Sequence, residues 1–115
     1  MRFYRFGHSQ AAVGKSIFVF GGRMGTSIDE KLLNDLWMFD TDSKTWSEVE
    51  ANGDVPSPRS FQSSVVVGEC IYMFGGCPAD GRQSDLHRFD TKNKGNVFLI
   101  KTSKVLWVKC YENMG

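Results

Sequence analysis

The stretch Ile17-Phe18-Val19-Phe20-Gly21-Gly22 decides the fold of this chain, because a close copy of it follows at Ile71-Tyr72-Met73-Phe74-Gly75-Gly76. A short apolar run that ends in two glycines is typical of a buried strand that stops where the backbone needs unusual dihedral angles. The run is apolar at every position instead of alternating with polar residues, which predicts a strand covered on both faces. The chain therefore carries the same buried strand twice.

The sequence around this strand repeats as well. At an offset of 54 residues Arg5 aligns with Arg59, and after a shorter loop, at an offset of 50, Asp35 aligns with Asp85. Matches at two such closely related offsets indicate a tandem repeat of roughly fifty residues. Repeats of about this length are typical of the blades of a β-propeller.

The repeated residues resemble the kelch family. After the double glycine come Asp35–Asp40 (DLWMFD), then Trp46, and then Pro56–Arg59 (PSPR), which opens the next unit. The resemblance covers about residues 5–91 and implies an all-β fold. It implies two consecutive four-stranded antiparallel kelch blades of an incomplete β-propeller, since propellers have four to eight blades. The structural repeat positions are then Arg5, Gly21, Gly22, Asp35, Trp46, Arg59, Gly75, Gly76 and Asp85.

Each repeat is interpreted as four strands, A to D. Two hairpins with turns at Gly14 and Gly68 form strands A and B. We predict a first blade over residues 1–50, strands A to C of a second blade over 51–91, and a divergent basic tail over 92–115. The expected strands are Ser9–Val13, Ile17–Phe20, Leu36–Phe39 and Thr45–Val49 in the first blade, and Ser63–Val67, Ile71–Phe74 and Leu86–Phe89 in the second.

The repeat fails beyond Thr91. By register Asn96 takes the place of Trp46, and residues 92–115 carry five lysines against one glutamate. Two explanations compete: an insertion precedes a fourth strand at about Leu106–Cys110, or the tail is unrelated sequence. The strand-like run Val97–Ile100 interrupts the family pattern and favours the second explanation. Both runs have the composition of an edge strand guarded by lysines.

Structural roles are expected for most of the repeated polar and aromatic residues. Trp46 is predicted to pack between blades. Arg5 and Arg59 are predicted to donate hydrogen bonds to backbone carbonyls near the blade core. The aspartates that precede strand C, Asp35 and Asp85, are predicted to accept backbone amide hydrogens.

The loops at one end of the blades are the candidate binding region. In a four-stranded meander the B–C and D–A connections share one end, which here holds residues 23–34, 77–84 and 50–58. Binding residues are commonly carried on such long, varied loops, and the resemblance to kelch propellers implies a protein-binding surface at the same end. The competing interpretation is that these are only solvated polar loops. The candidate partner-binding residues are Arg23, Met24, Asp29, Glu30, Lys31, Asp80, Arg82 and Gln83.

The sequence carries no recognisable catalytic or cofactor motif. Gly14-Lys15-Ser16 imitates a phosphate-binding loop, but Ser9 stands where that motif needs glycine, and a strand follows where it needs a helix. The histidines His8 and His87 fall on different blades without metal-type spacing. We therefore predict no metal, no cofactor and no enzymatic activity.

Composition limits the classes of partner that the sequence predicts. A net charge of +1 gives no argument for nucleic acid or an anionic membrane, and no apolar run is long enough to span a bilayer. We expect no secretory signal. Three cysteines without metal-type spacing fit a reducing compartment, the cytoplasm or nucleus; Cys70 is expected to be buried and Cys77 more exposed.

Three functions compete. The first is a non-catalytic protein–protein interaction module that presents the B–C and D–A loops to a protein partner. The second is a truncated product without independent function, and the third is part of a metal-dependent kelch enzyme. Because two blades leave an apolar face uncovered at each end, we also expect marginal stability or self-association.

Overall fold

The computed structural model describes residues 4–25, 30–79, 81, 83–93 and 96–100. Within these ranges the regular structure consists of eleven β-strands in two sheets. The all-β prediction is confirmed, and each sheet is one four-stranded blade with short additional strands.

The first blade is an antiparallel meander. Its strands A to D are β2, β3, β4 and β5, each paired with the next along the chain. Gly14, in the turn between β2 and β3, has a φ of 58°, which a glycine adopts at no steric cost. The short β1 pairs with the end of β3, where Arg5 lies opposite Met24. The strands are β1 (Arg5–Phe6), β2 (Ser9–Val13), β3 (Ser16–Met24), β4 (Lys31–Asp40) and β5 (Thr45–Val49).

The second blade repeats this arrangement. Strands A to D are β8, β9, β10 and β11, and the short β7 pairs with the end of β9. The short β6 leaves the first blade and pairs in parallel with β11, so the connecting segment lies along the outer edge of the second blade. The strands are β6 (Asn52–Gly53), β7 (Arg59–Ser60), β8 (Ser63–Val67), β9 (Cys70–Pro78), β10 (Gln83–Asp90) and β11 (Asn96–Ile100).

The fourth strand of the second blade corrects the sequence-based register. Phe89 pairs with Val97 as Phe39 pairs with Trp46, so Val97 rather than Asn96 holds the Trp46 position. The run that was interpreted as an interruption is strand D itself, displaced by one residue because the preceding C–D connection is one residue longer. The alternative strand at 106–110 lies outside the described residues.

The core lies between the two blades. Phe18, Phe20 and Leu36 of the first blade pack against a cluster from the second blade that includes Phe89. The Phe18 and Phe89 rings meet edge to face, with centroids 5.5 Å apart. Each such buried side chain contributes roughly 1.5–3 kcal/mol. This interface therefore holds the two blades in a fixed relation. The second-blade members are Ile71, Met73, Phe89 and Val97.

Candidate partner-binding rim

The rim is the end of the blades where the B–C and D–A connections meet. It comprises the described residues within 4–8, 23–34, 50–62 and 77–84. The chain that enters each strand A runs antiparallel to the end of strand B, because Arg5 pairs with Met24 and Arg59 pairs with Pro78. The paired ends of these strands in both blades form the base from which the loops of the rim emerge.

A buried arginine ties this base together in the first blade. The Arg5 guanidinium donates to both carboxylate oxygens of Asp35, each at 2.9 Å, and to the carbonyl oxygen of Gly21 at 3.0 Å. The Arg5 side chain is only 2% exposed. A two-point pair of this kind is among the stronger hydrogen-bonded contacts in proteins. We call the arginine, the aspartate and the glycine carbonyl the arginine latch.

The second blade has the same latch. Arg59 Nη1 donates to Asp85 Oδ1 at 2.7 Å and to the carbonyl oxygen of Gly75 at 2.9 Å. Arg59 also donates to the carbonyl oxygen and the hydroxyl of Ser57, both at 3.1 Å, and its side chain is 4% exposed. Both arginines therefore make the carbonyl bonds expected from the sequence. The aspartates, however, were expected to accept backbone amides, and their main partners are the arginines.

The latch shifts the pKa of Asp35. Burial raises the pKa of this carboxyl, but hydrogen bonds from Arg5 and from the Trp37 indole, together with the charge of Arg5, outweigh burial and hold the pKa below its ordinary value. Trp37 Nε1 lies 2.9 Å from Asp35 Oδ2. The first-blade latch is thus stabilised in its charged form.

A histidine replaces this tryptophan in the second blade. His87, 6% exposed, stands at the Trp37 position, and its Nδ1 is 3.7 Å from Asp85 Oδ2, too far for a hydrogen bond. Burial lowers the pKa of His87; the carboxylates of Asp85 and Asp54 act in the opposite direction, whereas Arg59 adds to the lowering. The imidazole is therefore neutral at neutral pH.

The structure brings Arg23 and Glu30 together among the candidate binding residues. Arg23 Nη1 donates to Glu30 Oε1 at 2.6 Å, and Arg23 Nε donates to the buried Ser60 hydroxyl at 2.9 Å. Arg23 thereby joins strand β3 of the first blade to β7 of the second. Its side chain is 29% exposed and that of Glu30 is 35% exposed. Both charges are therefore within reach of a partner.

The other candidates are less closely associated. Lys31 is exposed and lies opposite the half-buried Met24 in the β3–β4 ladder. Gln83, half-buried, lies at the start of β10 in the second blade. The candidates Asp29, Asp80 and Arg82 lie outside the described residues.

Three exposed aromatic side chains, which sequence reasoning missed, add to the rim. Tyr4 is 90% exposed, Phe6 is 46% exposed and Phe61 is 42% exposed. Phe61 has a φ of 62°, a left-handed conformation that costs a bulky L-residue roughly 1–2 kcal/mol. Its amide donates to the Gly7 carbonyl at 2.7 Å, and its ring lies directly against Gly7. The sequence did hold a signal, since the repeat aligns Phe61 with Gly7, whose φ is 70°.

The cysteines differ from the sequence-based expectation. Cys77 is buried, at 4% exposure, near the end of β9, where it pairs with Ser60 of β7. Cys70 is only half-buried, since it occupies the first position of β9, next to the turn.

The cavity between the blades is apolar and small. Its volume is about 30 Å³ and it lies against Phe18, Met73 and His87, far below the size of a cofactor pocket. No group of three histidine, cysteine, aspartate or glutamate side chains among the described residues is arranged to hold a metal ion. The same residues include no helix that is long and apolar enough to cross a membrane.

Comparison with known proteins agrees with this architecture. A family model described as the KLHDC2/KLHL20/DRC7 Kelch-repeats domain matches residues 3–107. The human Kelch domain-containing protein 3 is 34% identical over 108 residues, which are 91% of this chain and 28% of that protein.

Two further relatives have names that refer to synthesis or catalysis. The tRNA wybutosine-synthesizing protein 2/3/4 of Oryza sativa subsp. japonica is 38% identical over 87 residues, 76% of this chain and 8% of that protein. The N-(sulfonatooxy)prop-2-enimidothioate sulfolyase of Thlaspi arvense is 37% identical over 98 residues, 84% of this chain and 28% of that protein. The chain therefore spans between 8% and 28% of the length of these relatives.

Proposed function

Because this chain belongs to the kelch-repeat family, we propose that it is a non-catalytic protein-interaction module that binds a protein partner through the rim. The observation that supports this most directly is Phe61, an exposed phenylalanine in a left-handed conformation. Backbone strain of this kind persists only where the surrounding structure imposes it, and it concentrates at functional sites.

The charged residues of the rim fall into two groups, buried residues with a structural role and partly exposed residues that a partner can reach. Arg5 and Arg59 are buried and bonded within their latches, so they fix the base from which the loops emerge. Arg23 and Glu30 are partly exposed at the junction of the blades, close to Phe61 through Ser60. Aromatic residues and arginine are the residue types enriched at the energetic centres of protein interfaces.

The chemistry of the rim favours an extended peptide segment with an apolar side chain and a neighbouring charged group. The rings of Phe6 and Phe61 offer apolar contact area at a low cost in side-chain entropy. The Arg23–Glu30 pair presents both signs of charge. An anionic group of a ligand would bind Arg23 and displace Glu30 from it, and a cationic group would bind Glu30 and displace Arg23. Such exchange gives specificity and orientation more than raw affinity.

The test is a selection of random peptides displayed on phage against the complete 115-residue chain. Selected peptides are then measured against the wild type, against the combined variant Phe61→Gly with Arg23→Ala, and against Lys15→Ala. Lys15 is 76% exposed in its ion pair with Asp42, in the turns at the opposite end of the blade. We expect the rim variant to lose at least about tenfold in affinity, as for an energetic centre of an interface, and Lys15→Ala to bind unchanged. Peptides that bind the rim variant as well as the wild type, or a selection that enriches none, would contradict the proposal.

A further inference from the structure

A short contact holds the connection between the blades to the edge of the second blade. The strand β6 pairs in parallel with the start of β11. The amide of Asp54 donates to the carbonyl oxygen of Val97 at 2.9 Å, and the amide of Leu99 donates to Asp54 Oδ2 at 3.0 Å. We call residues 52–54 and their bonds to β11 the clip.

The clip depends on close spacing of backbone atoms at Gly53. This glycine has a φ of 84°, and a Cβ atom added to it would lie 2.5 Å from the carbonyl oxygen of Val97. Its own carbonyl accepts from the amide of Val55 at 2.9 Å, which turns the chain directly after the clip. An extra backbone atom next to Gly53 therefore has no room while the clip is closed.

The residue before this glycine is an asparagine with a reactive neighbour. Asn52 is the only asparagine in the sequence that precedes a glycine, and both residues are exposed. Gly53 has no side chain to hinder the approach of its backbone nitrogen to the side-chain amide of Asn52. A pairing of only two residues at a sheet edge also opens at a low cost in free energy. The folded chain therefore reaches the geometry in which the two groups react.

An internal comparison lies directly across the clip. Asn96 is opposite Asn52 in the ladder and is also exposed. It precedes Val97, which is 6% exposed and whose β-branched side chain is stiff and crowds its backbone nitrogen. The two asparagines share an environment and differ in the residue that follows. The exposed Asn34 and Asn93 likewise precede residues with side chains.

We propose that Asn52 is a site of spontaneous deamidation in the folded chain and that isoaspartate formed there opens the clip. The backbone nitrogen of Gly53 attacks Cγ of Asn52, the bond from Cγ to Nδ2 breaks, and ammonia leaves with the amide proton of Gly53. Water then opens the resulting cyclic imide. Attack of water at Cγ gives aspartate, and attack at the backbone carbonyl carbon gives isoaspartate. Water is the only co-reactant.

The two products affect the clip differently. Isoaspartate continues the chain through its side chain and so adds one backbone carbon before Gly53, where the closed clip has no room. Asp54 then loses its register with Val97 and Leu99. Aspartate keeps the backbone length and changes only the charge of an exposed side chain. This reaction needs no partner, so the inference goes beyond the proposed function and its test does not depend on partner binding.

The experiment ages the complete folded chain in mildly alkaline buffer, which promotes loss of the amide proton. Samples taken over time are digested and mapped by mass spectrometry, and isoaspartate is detected with protein isoaspartyl methyltransferase. We expect Asn52 to convert at least about tenfold faster than Asn96, a difference of about 1.4 kcal/mol between the two barriers. Asn34 and Asn93 should also convert more slowly than Asn52.

Hydrogen exchange then measures the clip itself. In the chromatographically separated isoaspartate fraction, the amides of Asp54 and Leu99 should exchange about 5- to 30-fold faster than in the fresh chain, as for the loss of one or two hydrogen bonds. The variant Asn52→Asp supplies the aspartate product directly and should exchange as the fresh chain does. Asn52→Gln, in which ring closure is slower, is the matched control and should keep its clip closed during ageing.

Three results would overturn the proposal. Survival of Asn52 while the other asparagines convert, or its conversion only in urea, shows that the folded chain protects it. Unchanged exchange of Asp54 and Leu99 in the isoaspartate fraction shows that the clip stays closed. Equal loss of protection in aged Asn52→Gln shows that a different reaction opens it.

Discussion

Neutralising Asp85 should destabilise the chain far more than neutralising an exposed aspartate. The substitution Asp85→Asn keeps the shape of the side chain but removes the charge that faces Arg59 at 2.7 Å. Arg59 is 4% exposed, so its guanidinium would remain as a buried cation without a counter-ion. Removing one partner of a buried pair typically costs about 3–5 kcal/mol.

Two features of the latch reduce that figure. Asp85 is itself 22% exposed, so water partly compensates for the loss of its charge. Arg59 also keeps its hydrogen bonds to Gly75 and Ser57. We therefore expect Asp85→Asn to lower the free energy of unfolding by about 2–3 kcal/mol. Urea denaturation of the complete chain measures this change as a shift of the midpoint at an unchanged slope.

The matched control is Asp42→Asn. Asp42 pairs with Lys15 at 3.1 Å, but these side chains are 67% and 76% exposed, so the loss should be no more than about 0.5 kcal/mol. A double-mutant cycle of Asp85→Asn with Arg59→Met should show strong coupling, because the aspartate has little to neutralise once the arginine is gone. Equal effects of Asp85→Asn and Asp42→Asn, or additivity in the cycle, would refute the reasoning.

Three further predictions concern a titrating side chain and two backbone positions. Because burial lowers the pKa of His87, the unfolded chain binds more protons below pH of about 6.5; stability should therefore fall as pH drops through this range, and His87→Gln should flatten the fall in urea titrations at each pH. Phe61→Gly should change stability by less than about 1 kcal/mol in urea denaturation, since relief of the left-handed backbone offsets the lost ring contact; a larger loss would give Phe61 a structural role. Gly22→Ala should cost at least about 1 kcal/mol more than Gly14→Ala, because both have positive φ but only at Gly22 would the added carbon meet backbone atoms, at 2.8–3.0 Å; equal melting temperatures would contradict this.

The features that the sequence predicts well are those for which both repeats need the same local backbone conformation. The paired glycines recur because both blades need the same backbone: φ is 64° and 97° at Gly21 and Gly22, and 67° and 104° at Gly75 and Gly76. The fourth strand of the second blade was not placed in register because Val97 is aliphatic where Trp46 is aromatic, and it stands one residue further along. Where packing alone selects the residue, any apolar side chain of suitable shape is accepted.

The latches show a different limit. Arg5 and Asp35 are 30 residues apart in the chain, and no local pattern says that they meet. Their joint recurrence as Arg59 and Asp85 was the available signal, because a charge that is buried in both copies needs its partner in both. The aspartates were instead assigned to backbone amides, which is the commoner role of an aspartate beside a turn.

Positions at which the two blades carry different residues bear most directly on the proposed function. Met38 and Arg88 occupy the same place in the repeat, yet Met38 packs against the core cluster and Arg88 stacks on the ring of Phe98. Gly7 and Phe61 share a left-handed backbone, but only Phe61 bears a side chain there, and it lies exposed on the rim. Equivalent positions in the two blades have the same backbone conformation. A residue that is energetically unfavourable there in only one copy is therefore explained by the surroundings of that copy. On this reasoning we expect the rim around Phe61 to be the surface where a partner binds.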